Sequence, residues 1–299
     1  MLQILPVELE AISERAGSLY YVAGRQLKSD GTYRELLDAR YPLKSIHGRI
    51  QCLILRRVHY PGYLQGGIQD RQSPRGQAAN ARIHVGARTL ISEDVENFFP
   101  NITADLVFDI WHGFFRFPPV IARCLTKLTT KDRSLPQGAK TSPLLANLVF
   151  WRDEHQLVQV LLNRGIFYSR LIDDITCSSK QELSFKQVSW LIRQLHAMGK
   201  RCGLRLKRRK QTIAYSNEPM IATKLLVNTK VSPPKKVRAE TRASVHSYLM
   251  SLNSRKGWIA DQTFNKVSGK LSYLTQYHSV EGIAMRSELR VAIEKKKSE

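Results

Sequence analysis

Acidic residues are scarce in this 299-residue chain: 25 Asp and Glu stand against 47 Lys and Arg, a net charge of +22. Such an excess goes beyond ordinary solubilisation and points to a polyanionic partner, nucleic acid before anionic membrane. Cysteine is also sparse. Cys52, Cys124, Cys177 and Cys202 are scattered, with no CxxC or Cys/His grouping, which argues against a zinc site and a disulfide framework. No apolar run approaches the roughly 18 residues of a membrane span, and the N-terminus lacks a signal-peptide layout. Walker and GxGxxG phosphate loops are missing too, as are internal repeats and low-complexity stretches.

The hydrophobic pattern predicts a mixed chain. Residues 1–60 read as mostly helical, with LKSIHGRIQCLILRRV (43–58) the clearest amphipathic stretch: Leu43, Ile46, Ile50, Leu53 and Ile54 recur at helical spacing. The Gly/Pro/Gln-rich segment 60–77 reads as loop, and 88–92 as a strand. Thr103 is a good N-cap for ADLVFDIWHGFF, a further helix covers 118–130, and 134–162 begins as loop and becomes one long helix. A hairpin, a helix over 182–201 and a strand-like IATKLLVN follow. Beyond Pro233-Pro234 the pattern predicts three basic helices over 236–253, 260–277 and 280–296.

Within the hairpin, YSRLIDDITCS (168–178) places Asp173 and Asp174 side by side among apolar residues. Adjacent buried carboxylates repel and drift towards protonation unless a positive charge sits between them. A divalent cation is one solution, since Mg²⁺ favours a few carboxylates plus substrate phosphates. Asp94, ending the strand TLISED before Phe98, Phe99 and Pro100, supplies a third acid. Together they could hold two metals about 3.5–4 Å apart, activating an attacking hydroxyl and stabilising a leaving pyrophosphate. Strand alternation suggests Asp94 and Asp173 as the closer ligands, with Asp174 contributing less.

Four segments, in order, resemble the reverse transcriptases: DVENFFPNI (94–102), LPQGAKTSPLLANL (135–148), LIDD (171–174) and GLRLKRRKQT (203–212). The second is the most specific. NARIH (80–84) is similar to the NAxxH signature of bacterial retron enzymes and some defence-associated relatives. The resemblance spans roughly 30 to 280 and implies an α+β right-hand polymerase fold. It assigns 1–88 to an N-terminal region and fingers, 89–230 to a palm with an interleaved fingers segment near 104–140, and 231–299 to a helical basic thumb.

The same resemblance distributes roles. Asp94, Asp173 and Asp174 become the catalytic, metal-binding acids, with two Mg²⁺ ions or Mn²⁺ in their place. Phe99 takes the sugar-gate position, which predicts deoxynucleotide use, while Phe98 reads as core. Gln137, beside Gly138, meets the nascent base pair or the template sugar, Lys210 the leaving pyrophosphate and Arg34 the triphosphate. Pro143 and Asn147 read as architectural. Asn80 and His84 either brace the lead-in to the first palm strand or touch RNA. Lys207, Arg208 and Arg209 meet backbone phosphate. Lys235, Lys236, Arg238, Arg242, Lys266, Lys270, Arg286 and Arg290 would track a template–primer duplex, with Tyr273 and Tyr277 as sugar or base contacts or as core.

The chain departs from the pattern in places. Leu171 replaces the tyrosine before the paired aspartates, Thr32 a lysine two residues before Arg34, and Lys140 a proline. Glu93 stands where an apolar residue is common, directed to the opposite, normally buried face, and ATK (222–224) replaces a VTG triplet.

With the acids intact, the expectation is an RNA-directed DNA polymerase that copies a small non-coding RNA into DNA from dNTPs. The retron resemblance implies a bacterial, cytoplasmic enzyme with no membrane association, priming from an RNA 2′-hydroxyl, and antiphage defence beside an effector protein or in an oligomer. No room is left for RNase H, endonuclease or integrase domains. Leu171 and ATK favour an alternative, a non-retron defence enzyme in a multi-protein or RNA assembly with untemplated synthesis. A further alternative is an inactive RNA-binding scaffold.

Overall fold

The structure is a computed structural model describing residues 4–27, 31–252 and 257–298. It is an α+β fold built around one four-stranded antiparallel sheet in the order β4-β5-β3-β6, with β3 at Thr89–Asp94, β4 at Ile166–Leu171, β5 at Asp174–Ser179 and β6 at Thr212–Tyr215. A separate hairpin, β1 (Tyr20–Leu27) with β2 (Tyr33–Ala39), precedes it, and a short one, β7 (Ile221–Ala222) with β8 (Leu225–Leu226), follows. The helices are α1 (Pro6–Glu14), α2 (Leu43–Leu53), α3 (Gln77–Ile83), α4 (Phe98–Asn101), α5 (Ala104–Asp109), α6 (Pro119–Thr129), α7 (Ser142–Asn147), α8 (Glu154–Leu162), α9 (Phe185–Arg201), α10 (Lys235–Leu252), α11 (Gly257–Thr275) and α12 (Ser279–Ser298). Among the described residues none is long and apolar enough to cross a membrane.

Local chemistry explains most boundaries. Thr103 caps α5 by accepting from the Leu106 amide, and Ser184 forms a reciprocal capping box with Gln187 at the start of α9. The expected loop over 60–77 is present up to Gln77. Residues 1–60 are not mostly helical: β1 and β2 occupy much of 20–39. The outer half of β1 is largely exposed, and neither YYVAGRQL nor YRELLDA alternates apolar with polar residues, so nothing marked them as strands. The long helix expected within 134–162 is broken into α7 and α8. The buried Arg170 guanidinium takes the Asn147 carbonyl at 2.8 Å, an acceptor that a continuing helix would use for itself.

One large core joins the sheet to α2, α6, α7, α8 and α9 through Ile91, Leu145, Phe150, Ile175 and Leu191. The three C-terminal helices have a core of their own, centred on Val245, Tyr248, Val267, Leu271 and Leu289. The end of the expected 236–253 helix, residue 253, lies outside the described residues. Tyr273 and Tyr277 pack against a third cluster with Ala81, Met220 and Val227, which favours the core role for both.

Candidate active site

Asp94 ends β3 and Asp174 begins β5, and the two are direct partners across the antiparallel pair. Directly opposed residues share a sheet face. Asp174 therefore stands on the same sheet face as Asp94. Asp173 lies in the turn just before β5, and its carbonyl accepts from the Val95 amide at 3.1 Å. Burial pushes the pKa of Asp173 up, with Asp94 adding to the rise. Burial, then Asp173 and Asp94, push that of Asp174 up to about 6. The three carboxylates thus lie within electrostatic reach of one another.

Positive charge already approaches them. Lys210 Nζ donates to Asp94 Oδ2 at 2.6 Å, and Lys207 Nζ is 3.8 Å from Asp94 Oδ1. The basic run is accordingly split. Lys207 and Lys210 turn to the acids, while Arg208 lines a separate groove with His196, Lys200 and Arg205, and Arg209 is exposed. Among the described residues no three His, Cys, Asp or Glu side chains are gathered as a ready-made metal cage. The donor set nevertheless fits a hard cation: oxygen ligands, two of them with raised pKa, and an ammonium standing where positive charge is wanted.

Next to Asp173 a cavity of 290 Å³ is lined by Arg34, Phe99 and Gln137. Asn97, inside DVENFFPNI but given no role there, lines it as well, as do Tyr33, Glu35, Lys131 and Asp132; no motif marked these last four, because they come from loops and from the β1–β2 hairpin. Phe98 is buried at 3% exposure and stacks on Phe150; both it and the half-buried Phe99 line the cavity. Gly138, at φ +110°, has room for no side chain: a Cβ would lie 2.7 Å from the Leu37 carbonyl oxygen. The Leu37 amide in turn donates to the Gln137 carbonyl at 2.7 Å, fastening β2 to this loop.

The acid-bearing turn is held in a strained shape. Ile172 has φ +62°, a left-handed conformation that costs a β-branched residue on the order of 1–2 kcal/mol. A closed ring of contacts fixes it. Arg170, fully buried, donates to the Ile172 carbonyl at 2.9 Å and to the Asn147 carbonyl. Asn147 Nδ2 donates to the Gly66 carbonyl at 2.6 Å, and Gly66 abuts Ile172 so tightly that a Cβ would sit 2.8 Å from its nitrogen. Glu154 accepts from Arg170 Nε at 2.6 Å and from the Tyr168 hydroxyl at 2.7 Å. Asn147 is therefore architectural, as expected.

Other candidates fall elsewhere. Asn80 and His84 are 0% and 1% exposed, which leaves neither a surface for RNA; His84 has bracing partners, whereas the Asn80 side-chain amide has no hydrogen-bond partner among the described residues. His84 bridges Ser169 of β4 and Ser178 of β5, each at 2.7 Å, and burial pushes its pKa down to about 3. A neutral imidazole suits that bridge, with one ring nitrogen donating and the other accepting. Glu93 is buried at 2% exposure on the opposite face from Asp94, and burial raises its pKa to about 7. Lys235, Lys236, Lys266 and Lys270 are exposed on α10 and α11, Lys270 donating to Ser244. Arg238 and Arg242 both pair with Glu281, Arg286 donates to Ser272 and Arg290 to Glu294.

The family model described as "Reverse transcriptase (RNA-dependent DNA polymerase)" matches residues 26–252. The chain is 32% identical over 265 residues to the retron Se72 reverse transcriptase of Salmonella heidelberg, covering 86% of this chain and 68% of that one. It is 30% identical over 286 residues to the retron Ec48 reverse transcriptase of Escherichia coli, covering 91% and 69%. Among solved structures it is similar to an apo telomerase from Candida tropicalis, with a TM-score of 0.48, 10% identity, and 75% and 58% of the two chains covered.

Proposed function

The chain belongs to the reverse transcriptase family as a retron-type RNA-directed DNA polymerase, and from that premise we propose that Asp94, Asp173 and Asp174 carry its chemistry. The observation that supports this most is the pairing of Asp94 with Asp174 across β3 and β5, with Asp173 beside them and the cavity of Arg34, Phe99 and Gln137 adjoining. Divalent cations held by the three carboxylates would supply a deprotonated primer hydroxyl and charge neutralisation on the leaving pyrophosphate. Around them the side chains position and select. The Phe99 ring lies under the incoming sugar and leaves no space for a 2′-hydroxyl. Gln137 meets the nascent pair, with Gly138 allowing the close approach. Arg34 grips the triphosphate from β2, and Lys210 shifts from Asp94 to the pyrophosphate as charge develops there.

In this reading 1–88 forms the N-terminal region and fingers, 89–230 the palm with its inserted fingers segment, and 231–299 the thumb. Lys235, Lys236, Lys266 and Lys270 hold duplex phosphates, and Arg209 contributes from the palm. The template is a small non-coding RNA and the biological setting antiphage defence.

The test is direct. Protein purified with its bound RNA is supplied with Mg²⁺ or Mn²⁺ and labelled dNTPs, and the product is sequenced. DNA complementary to the RNA is the expected result. Product unrelated to the RNA would favour untemplated synthesis, and absence of product under every condition would leave a scaffold.

A further inference from the structure

Among its described lining residues the cavity beside Asp173 has two cations, and they come from different parts of the chain. Arg34 belongs to β2, whereas Lys131 follows α6 and leads into the LPQG loop. Thr32 is neutral where the resemblance places a lysine, so β2 brings the cavity one charge and not two. A guanidinium fork meets two oxygens at a time, which leaves much of a triphosphate unanswered by Arg34.

The position of Lys131 is fixed by its backbone. Lys131 and Ser134 exchange hydrogen bonds at 2.9 and 3.0 Å, closing a two-residue turn whose centres, Asp132 and Arg133, have φ +50° and +59°. The Ala104 amide at the start of α5 donates to the Arg133 carbonyl at 2.9 Å, and the Leu135 amide donates to the Ile102 carbonyl at 2.9 Å. Further along, the Gln137 carbonyl accepts from Leu37 of β2. The stretch 131–137 is thus fastened at one end beside α5 and at the other to the strand that carries Arg34.

The ammonium itself remains exchangeable. Lys131 Nζ pairs with Asp132 Oδ2 at 2.6 Å, yet the Asp132 side chain is 80% exposed and that of Lys131 26%. A solvated pair of this kind is weak, and a partner bearing several negative charges displaces it.

We propose that Lys131 is a triphosphate-binding residue for the incoming nucleotide, exchanging Asp132 for a phosphate oxygen and supplying the charge that position 32 lacks. The assignment rests on the reading of Arg34, Phe99 and Gln137 as the nucleotide pocket.

The test compares wild type, Lys131→Met, Lys131→Arg and the double variant Thr32→Lys/Lys131→Met on a supplied RNA template with a DNA primer. Lys131→Met should raise the dNTP KM about tenfold, the loss of one charge-assisted hydrogen bond, with kcat within about threefold. The salt slope of template–primer binding should not change. Inorganic tripolyphosphate, a competitor without base or sugar, should lose affinity by the same factor as the dNTP. Lys131→Arg keeps the charge and should stay within about threefold of wild type, and the double variant should recover most of the loss. A wild-type KM in Lys131→Met would overturn the assignment. So would a raised KM with unchanged inhibition by tripolyphosphate, which would put Lys131 on the base or sugar. A double variant as impaired as Lys131→Met would overturn the exchange with position 32. If the wild type makes no DNA, or Arg34→Met keeps a wild-type KM, the reading of the site fails instead. Equilibrium binding of tripolyphosphate to wild type and Lys131→Met then still decides Lys131.

Discussion

Two groups of buried charge sit three residues apart on the same hairpin, and they are finished in opposite ways. At Arg170 each charge has its answer: Glu154 accepts two hydrogen bonds from the guanidinium, Tyr168 adds another to Glu154, and backbone carbonyls take the remaining donors. At Asp173 and Asp174 burial and repulsion among the acids raise the carboxyl pKa values, and the two lysines that approach, Lys210 and Lys207, are both on Asp94. Charge that is complete within the protein holds a shape. Charge left incomplete is available to something that binds. The contrast is sharper because the first group fixes the second: Arg170 grips the carbonyl of Ile172, the residue just before the acids.

The largest test of this contrast is Asp174→Asn. Removing an incomplete charge should lower polymerisation about 10³-fold while leaving the melting temperature at or above wild type. A variant that retained activity would remove Asp174 from the chemistry. Arg170→Met should do the reverse of sparing the fold. Stranding Glu154 in the interior should cost about 3–5 kcal/mol in denaturant unfolding, and replacing both partners by apolar residues of similar volume should recover much of it. A smaller effect separates His84, another complete group. Its folded pKa is lowered to about 3, below the ordinary value near 6.5, so the unfolded chain takes up the proton first. Stability is full above roughly pH 6.5 and is lost as pH falls towards 3. The loss from this residue should be about 2 kcal/mol at pH 5, and His84→Gln should flatten the pH dependence even if it lowers stability overall.

These pairs also mark where the sequence stopped being informative. The acids, the LPQG loop, the cap at Thr103 and the DD hairpin are local patterns, and local patterns survive in a linear reading. The β1–β2 hairpin did not, because neither strand alternates apolar with polar residues. The break between α7 and α8 depends on Arg170, which arrives from a strand more than a helix-length further along the chain. Arg238 and Arg242 looked free until Glu281 folded back from α12 onto α10. Asn80 and His84 carried a recognisable signature, yet only the packing of α3 under the sheet could separate bracing from RNA contact.

Gly66 gives the polymerase a narrow evolutionary corridor. Four residues earlier, Gly62 has open space around its α-carbon, and most side chains could be tried there without disturbing anything nearby. At Gly66 a single methyl group would press on the backbone nitrogen of Ile172 and so on the two aspartates beyond it. Drift in that loop is therefore free at one glycine and blocked at the other.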